Sequence, residues 1–184
     1  MSRANTPDKI LHFWYSKPMN QHWFKSTAEI DADIRRQFEP LWRSAAQGEL
    51  DSWMQTAQGC LALIILLDQL PLNMFRGEAK GFSTEAQAIE CTLYGIAQGF
   101  DKQIPQSQLS FFYMPLMHSE LMAHQNLSVQ MFEQAGLKEN ARFSRHHRSI
   151  VETFARFPHR NALLGRDSTQ AELEYLQSDK AFKG

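Results

Sequence analysis

Polar side chains that could bind or convert a ligand are concentrated in three segments of this 184-residue sequence. The segments are LIILLDQLPLNMFRG at residues 63–77, YMPLMHSE at residues 113–120, continued by His124 and Gln125, and RFPHRNALLGRDST at residues 156–169. Carboxylates, imidazoles, amides and guanidinium groups can orient a small molecule and transfer protons when they converge. Each segment therefore fits either a ligand site or a purely structural role.

The first segment places an acid directly after the most hydrophobic run of the chain. Asp68 and Gln69 follow the run CLALIILL, and Asn73 and Arg76 follow a proline. A buried carboxylate is costly unless it is paired. Two explanations fit this pattern: the Asp68 carboxylate caps the turn that follows the proline or pairs with an arginine, or the four polar side chains bind a ligand.

The second segment contains an acid and two histidines. In a continuous helix Glu120 and His124 lie four residues apart on one face, a spacing that suits a metal ion or an imidazole assisted by a carboxylate. A surface pair is the simpler alternative, because neither an HExxH motif nor clustered cysteines accompany it. We therefore predict no metal site. His118 and Glu120 stay candidates for proton transfer, and Gln125 stays a candidate ligand contact.

The third segment is rich in arginine. Arg156, Arg160 and Arg166 can present guanidinium groups to a carboxylate or a phosphate. His159 is a candidate acid or base, and Asn161 is a candidate ligand contact that could instead cap a short turn. Capping and salt bridges are the structural alternative for the whole segment.

His147 lies outside the three segments, in a predicted amphipathic helix. It shares a helix face with Phe143, Ile150 and Phe154, so we expect its side chain to point inward. A hydrogen-bonded core histidine is favoured over a catalytic base or ligand contact, although both fit the pattern. His146 and His147 point about 100° apart on a helix, so they cannot chelate one ion together.

The composition excludes several classes of function. Apolar residues make up 43% of the chain, charged residues 21%, and the net charge is -1. A disordered chain has too few apolar residues to form a core, and a nucleic-acid-binding protein carries a marked excess of basic residues. The sequence therefore predicts a folded domain that does not bind nucleic acid.

The sequence also predicts a cytoplasmic location. Residues 1–18 lack the basic segment, apolar core and cleavage site of a signal peptide. The longest apolar run, residues 60–67, is far shorter than the roughly 20 residues of a membrane-spanning helix. Cys60 and Cys91 lack the close spacing of a zinc or redox motif, which favours two reduced thiols. We expect a soluble protein without a cofactor.

The spacing of apolar residues predicts helices along almost the whole chain. One helix begins at Thr6-Pro7-Asp8 and ends at Pro18, and the next begins near Ser26 and extends to about Ala45. Pro40 is expected to kink or split this second helix. The other predicted helices lie at about residues 51–67, 84–99, 106–113, 118–135 and 140–157, and from residue 169 onward.

Two capping-box patterns mark predicted helix starts, at Ser83-Thr84 with Gln87 and at Thr169 with Glu172. No segment alternates steadily between apolar and polar residues, and no glycine-rich phosphate loop follows a strand-like run. We therefore predict an all-α fold of stacked antiparallel helix pairs. No linker or shift in composition interrupts the chain, which predicts a single helical domain over residues 1–184.

Taken together, the three polar segments resemble the bacterial family called domain of unknown function 924. The strings LDQLPLNMFRG, YMPLMHSE and RFPHRNALLGR carry the resemblance, and FWY at residues 13–15 and GEL at residues 48–50 extend it over nearly the whole chain. The resemblance implies a bacterial origin, a cytoplasmic location and a helical fold similar to tetratricopeptide-repeat proteins, and it implies no activity. The matching positions are Asp68, Gln69, Asn73, Arg76, His118, Glu120, Gln125, His147, Arg156, His159, Arg160 and Asn161.

Three positions depart from the family pattern. Leu70 stands where an aromatic residue is usual, Leu72 where an arginine is usual, and His124 where an acid is usual. The departure at His124 counts further against a metal ion, and the departure at Leu72 removes a positive charge from the first segment.

The leading hypothesis is a pocket for a small anionic molecule, formed where the three segments meet at one end of the helical stack. The arginines and Asn73 would orient the molecule. His118 or His159 would transfer a proton. Asp68 or Glu120 would supply the carboxylate partner.

The alternative hypothesis is a helical-repeat scaffold that binds a peptide or protein. It predicts an exposed aromatic stripe that includes Trp23, Phe24 and Trp53, because aromatic side chains contribute strongly to interfaces. A metal-dependent hydrolase is a distant third possibility.

Overall fold

The computed structural model of this chain describes residues 6–182, where the regular secondary structure consists of α-helices and short 3₁₀ turns. No strand occurs in this range, so the all-α prediction is confirmed. The chain divides into two compact units, Met1–Pro115 and Leu116–Gly184, and the division falls within a helix. A single domain over residues 1–184 stays a prediction.

The α-helices of the described residues are α1 (Pro7–Trp14), α2 (Lys17–Asn20), α3 (Ala28–Ala46), α4 (Ala57–Leu67), α5 (Gln69–Met74), α6 (Glu85–Ala97), α7 (Leu109–His118), α8 (Met122–Gln134), α9 (Lys138–Phe154) and α10 (Gln170–Gln177). Short 3₁₀ turns lie at Asp51–Gln55, Ala79–Phe82, Phe100–Lys102, Gln106–Gln108 and Pro158–Arg160. Helices α1–α6 belong to unit 1 and α8–α10 to unit 2.

Helix α4 forms the centre of unit 1. It is apolar on all sides and is buried continuously from Gly59 to its end, as a helix surrounded by others must be. It packs antiparallel to α6, because the Cys60 Sγ lies 3.3 Å from the Cys91 carbonyl oxygen at one end while Thr84 Oγ1 donates to the Leu67 carbonyl oxygen at the other. Both cysteines are free and buried.

One window of unit 1, Ala57–Met74, is long and apolar enough to cross a membrane by length and composition alone. In the fold, 89% of this window is buried inside the protein. Its apolar side chains are therefore already removed from water, as in the core helix of a globular unit.

The predicted single helix over residues 51–67 is wrong at its start. A 3₁₀ turn covers Asp51–Gln55, the backbone is extended at Thr56, and α4 begins after it. The Thr56 hydroxyl accepts a hydrogen bond from the Gly59 amide and caps α4. A Cβ atom at Gly59 would lie 2.1 Å from the Trp53 carbonyl oxygen, so only glycine permits this close approach.

Helix α3 runs through Pro40 without interruption, so the predicted break is absent. Proline inside a helix costs about 3 kcal/mol. Against this cost, α3 buries Ile34, Phe38, Leu41 and Trp42 on one face, and each such side chain contributes roughly 1.5–3 kcal/mol. The burial outweighs the local preference for a break.

Of the two predicted capping boxes, one is absent and one is confirmed. Thr84 makes no capping hydrogen bond, because its hydroxyl accepts from Trp42 Nε1 and donates to the Leu67 carbonyl. Thr169 and Glu172 form a complete capping box at the start of α10.

Unit 2 is built around the antiparallel pair α8 and α9. Ser144 Oγ donates to Ser128 Oγ over 2.8 Å, and farther along Arg148 Nε donates to Asn126 Oδ1 over 2.7 Å. The apolar face of α9 packs with the segment that follows it. Its core consists of Ile150, Val151 and Phe157, and Met122, Phe154, Tyr175 and Phe182 surround it.

Candidate functional site

The first polar segment lies at the junction of α4 and α5, in unit 1. Asp68 and Gln69 are both buried there. The Asp68 side chain makes no capping hydrogen bond at the start of α5. The Gln69 amide donates to Asp68 Oδ2 and contacts Met114 Sδ at 3.3 Å. This amide therefore stabilises the carboxylate in a protein interior.

Asn73 and Arg76 of the same segment meet at Asp31, in the first turn of α3. Asn73 Nδ2 donates to Asp31 Oδ1 over 2.9 Å, and Arg76 Nε donates to Asp31 Oδ2 over 2.6 Å. Burial alone would raise the pKa of Asp31, but the hydrogen bonds from Arg76, Asn73 and Ser26 outweigh it and lower the pKa. These contacts favour a structural role for both predicted ligand contacts.

The second segment is not one continuous helix. Helix α7 ends at His118 and α8 begins at Met122, so Glu120 lies in the connection and not one turn before His124. Ser119 Oγ lies 2.8 Å from His124 Nδ1 and accepts from the Leu121 amide, which holds the connection in a non-helical conformation. The predicted pairing of Glu120 with His124 on one helix face is therefore wrong.

Glu120 instead joins the second segment to the third. Its carboxylate accepts two hydrogen bonds from Arg166, at 2.7 and 2.9 Å, and a third from the Phe157 amide at 2.8 Å. Burial raises the pKa of Glu120, but the Arg166 and Phe157 donors outweigh it and keep the pKa below its usual value. Glu120 is therefore ionised and binds the Arg166 guanidinium and the Phe157 amide.

Gln125 stabilises the connection between α7 and α8. It is fully buried, and its Nε2 donates to the carbonyl oxygens of Met117 and Ser119 over 2.8 and 2.6 Å. Those carbonyls belong to the end of α7, where the helix leaves carbonyl groups without internal partners. Gln125 thus acts on the backbone that carries His118 and Glu120.

Arg156 forms a bidentate ion pair with Glu172. Its Nε and one terminal nitrogen donate to the two carboxylate oxygens over 2.6 and 2.8 Å, and it also reaches the Asp167 carbonyl. The Arg156 hydrogen bonds lower the pKa of Glu172 to about 2. Asn161 Nδ2 donates to Ser168 Oγ nearby. These contacts favour the structural alternative for Arg156.

Three imidazoles lie close together in unit 2. His147 is buried, and its Nδ1 donates to the Phe143 carbonyl over 2.9 Å, as predicted for a core histidine. His147 and His159 both contact the Phe182 ring, at centroid distances of 4.4 and 5.0 Å. His118 is close enough to act electrostatically on both. We call His118, His147 and His159 the histidine cluster.

The environment of the cluster keeps two of its imidazoles neutral. Burial lowers the pKa of His147 to about 3. Burial and then the positive charge of Arg160 lower the pKa of His159 to about 4, while Glu120 opposes the shift. Neither ring nitrogen of His159 has a hydrogen-bond partner within residues 6–182. Arg160 is buried, with its guanidinium carbon 4.7 Å from the centre of the Phe157 ring.

The second and third segments therefore meet in unit 2, at Glu120 and the histidine cluster. The first segment belongs to unit 1, and the convergence of all three segments stays a prediction. Within residues 6–182 no group of three or more histidine, cysteine, aspartate or glutamate side chains is arranged to hold a metal ion.

Three residues that organise these sites were not among the predicted site residues. Asp31 binds the polar end of the first segment, Glu172 binds Arg156, and Phe182 packs on the histidine cluster. The capping box revealed Glu172 as a helix start but not as an ion-pair partner. Local sequence patterns do not predict a contact between residues that are far apart in the sequence.

The model of a family described as a bacterial protein of unknown function, DUF924, matches residues 10–180. The chain belongs to the DUF924 family. The resemblance expected from the three polar segments is thereby confirmed.

A solved structure supports the fold of this DUF924 protein. A protein of unknown function from Agrobacterium tumefaciens is 36% identical in sequence, and the superposition has a TM-score of 0.88. The match covers 93% of this chain and 96% of the other. Comparison with curated proteins finds no match.

Proposed function

We propose that this protein binds a small anionic molecule at the histidine cluster of unit 2. The observation that carries the proposal is His159, a half-buried imidazole without a hydrogen bond in residues 6–182 and in a locally positive electrostatic environment. The positive charges of Arg160 and Arg166 lower the pKa of His159, and the Glu120 carboxylate raises it. Such a site attracts negative charge.

The chemistry that His159 supplies follows from its low pKa. At neutral pH the ring is neutral, so it offers one N–H donor and one nitrogen acceptor. A bound anion reduces the positive potential and raises the pKa of the ring. His159 would then take up a proton as the anion binds, and the protonated ring would have a donor on each nitrogen to offer to the anion.

Under this proposal, some of the other predicted contact residues would belong to the site and the rest would have a structural role. His118 and His147 would form the wall of the site, and Arg160 would supply its field. Asn73, Arg76 and Arg156 would act structurally, because their polar groups bind Asp31 or Glu172. Glu120 would orient the backbone at Phe157.

The test is a thermal-shift titration with inorganic phosphate and with small mono- and dicarboxylates. A ligand at 100 times its dissociation constant stabilises by about 2.7 kcal/mol, which is roughly 5–10 °C for a chain of this size. We expect His159→Gln to lose the shift and His146→Gln, which removes a half-buried imidazole outside the histidine cluster, to keep it. We also expect tighter binding as the pH falls toward 5.

Two results would contradict the proposal. One is an equal shift in wild type and in a folded His159→Gln variant. The other is the absence of any shift with the whole set of anions.

A second candidate function, peptide binding, rests on one exposed aromatic side chain. Phe24 is 74% exposed and stacks against Phe111, while Trp23 and Trp53 are half-buried. The predicted stripe is thus reduced mainly to Phe24. If a peptide selected from a random library binds there, Phe24→Ala should weaken it at least tenfold and Phe143→Ala, another exposed aromatic, should not. Equal effects would remove this candidate.

We further propose a cytoplasmic location and a tetratricopeptide-like stacking of helix pairs. The free, buried thiols of Cys60 and Cys91 support the location, since reduced cysteines are typical of the cytosol. The antiparallel pairs α4 with α6 and α8 with α9 support the stacking.

A further inference from the structure

Unit 1 contains a cavity of about 400 Å³ beside α1. Its lining includes Asp8, Leu11, His12 and Tyr15 from α1 and the residue after it, Gln58 from α4, and Gln108 from the turn before α7. Asp8, His12 and Gln58 are exposed and form the rim, while Leu11, Tyr15 and Gln108 are half-buried. Small-molecule sites have volumes of roughly 300–1,000 Å³, so this α1 cavity is large enough for a small ligand.

Within residues 6–182, two lining residues carry buried oxygen atoms without a hydrogen-bond partner. They are the Tyr15 hydroxyl oxygen and Gln108 Oε1. A buried polar atom left unpartnered costs roughly 1–3 kcal/mol, so such atoms are rare unless something binds them. Burial also raises the pKa of Tyr15, which keeps its hydroxyl protonated and able both to donate and to accept.

The chemical character of the lining selects one class of ligand. Gln108 Oε1 can only accept a hydrogen bond, and the Asp8 carboxylate at the rim is an acceptor with a negative charge. Leu11 and the Tyr15 ring provide apolar surface. A protonated amine has donors but no acceptor, and a ring face attracts a cation.

We propose that the α1 cavity binds a small molecule that has a protonated amine and a short apolar body. The amine donates to Gln108 Oε1 and to the Tyr15 hydroxyl oxygen and faces the Asp8 carboxylate. The apolar body packs against Leu11 and the Tyr15 ring. This site is separate in residues and in charge preference from the anion site proposed for unit 2, so either can fail without the other.

The test compares three probes of similar shape by isothermal titration calorimetry: 2-phenylethylamine, 2-phenylethanol and phenylacetate. We expect a millimolar dissociation constant for the amine, about tenfold weaker binding of the alcohol, and no binding of the acid. Asp8→Asn should weaken binding of the amine but not binding of the alcohol. Gln108→Leu and Tyr15→Phe should each weaken binding of the amine about five- to tenfold.

Tyr94→Phe is the matched control, because Tyr94 is an exposed tyrosine of unit 1 outside the cavity lining. Circular dichroism establishes that each variant is folded. Equal affinity for the amine and the alcohol would overturn the proposed ligand class. No saturable binding of the amine at about 10 mM, or unchanged binding in both Tyr15→Phe and Gln108→Leu, would overturn the site itself.

Discussion

We expect the free energy of unfolding to fall by about 2 kcal/mol between pH 6.5 and pH 5 because of His147 alone. The pKa of His147 is about 3 in the folded protein, whereas an unfolded histidine has a pKa of 6.5. Between these values the unfolded chain binds a proton that the native protein does not. Stability therefore rises with pH across this window, by up to roughly 1.4 kcal/mol per pH unit, and is lost as the pH falls.

The carboxylates change the free energy of unfolding mainly below this pH window, so they do not mask the effect of His147. The pKa values of Asp31, Glu120 and Glu172 are lowered in the fold, so the stability they contribute is present above the unfolded pKa and is lost only as the pH falls below about 4.5. His159 adds a smaller amount of the same sign, because its pKa is also lowered but its ring is partly open to solvent.

The measurement is urea unfolding at pH 7.5, 6.5, 5.5 and 5.0 for wild type, His147→Gln and His146→Gln. Glutamine can still donate to the Phe143 carbonyl, so His147→Gln should flatten the pH dependence without unfolding the protein. His146→Gln, which removes the neighbouring half-buried imidazole, should keep the wild-type slope. Equal slopes for wild type and His147→Gln would show that burial of this imidazole is not the cause.

The second large effect is expected at Glu120. Replacing Glu120 by alanine leaves the Arg166 guanidinium and the Phe157 amide without their acceptor. Removing one partner of a buried ion pair costs roughly 3–5 kcal/mol, and this pair is partly open to water, with 24% of each side chain exposed. We therefore expect a loss of about 3 kcal/mol in the free energy of unfolding.

The matched control is Glu152→Ala, which breaks the Arg148–Glu152 pair on the surface of α9. Exposed pairs of this spacing contribute about 0.3–0.5 kcal/mol, so the two losses should differ several-fold. A double-mutant cycle with Arg166→Ala isolates the coupling between the two side chains. If Glu120→Ala costs no more than Glu152→Ala, the connection between α7 and α8 does not depend on this carboxylate.

Local sequence patterns determined the helical framework of this protein. The apolar run after Gly59 predicted a central helix, the Thr169 and Glu172 spacing predicted a capping box, and the face shared with Ile150 predicted an inward His147. Each of these features depends on residues within a few turns of one another. Helix periodicity and capping act over that range, so the sequence carries them directly.

The sequence also identified which polar residues were costly, but not their partners. Arg76 binds Asp31 over a separation of 45 residues, and Arg166 binds Glu120 over 46. The hydroxyl of Thr84 illustrates the same limit. It could have capped its own helix, but the packing of α4 against α6 places the Leu67 carbonyl within its reach.

Only the tertiary structure decided these pairings, because a hydrogen bond or an ion pair forms with whichever group packing brings near. The same reason explains Pro40, whose local preference for a break yields to the burial of one face of α3. It also explains why His159 has a low pKa, since its burial and its distance to Arg160 are properties of the packed unit. The sequence thus determined the helices and identified the residues whose side chains could take part in chemistry. Packing determined the charge states of those side chains.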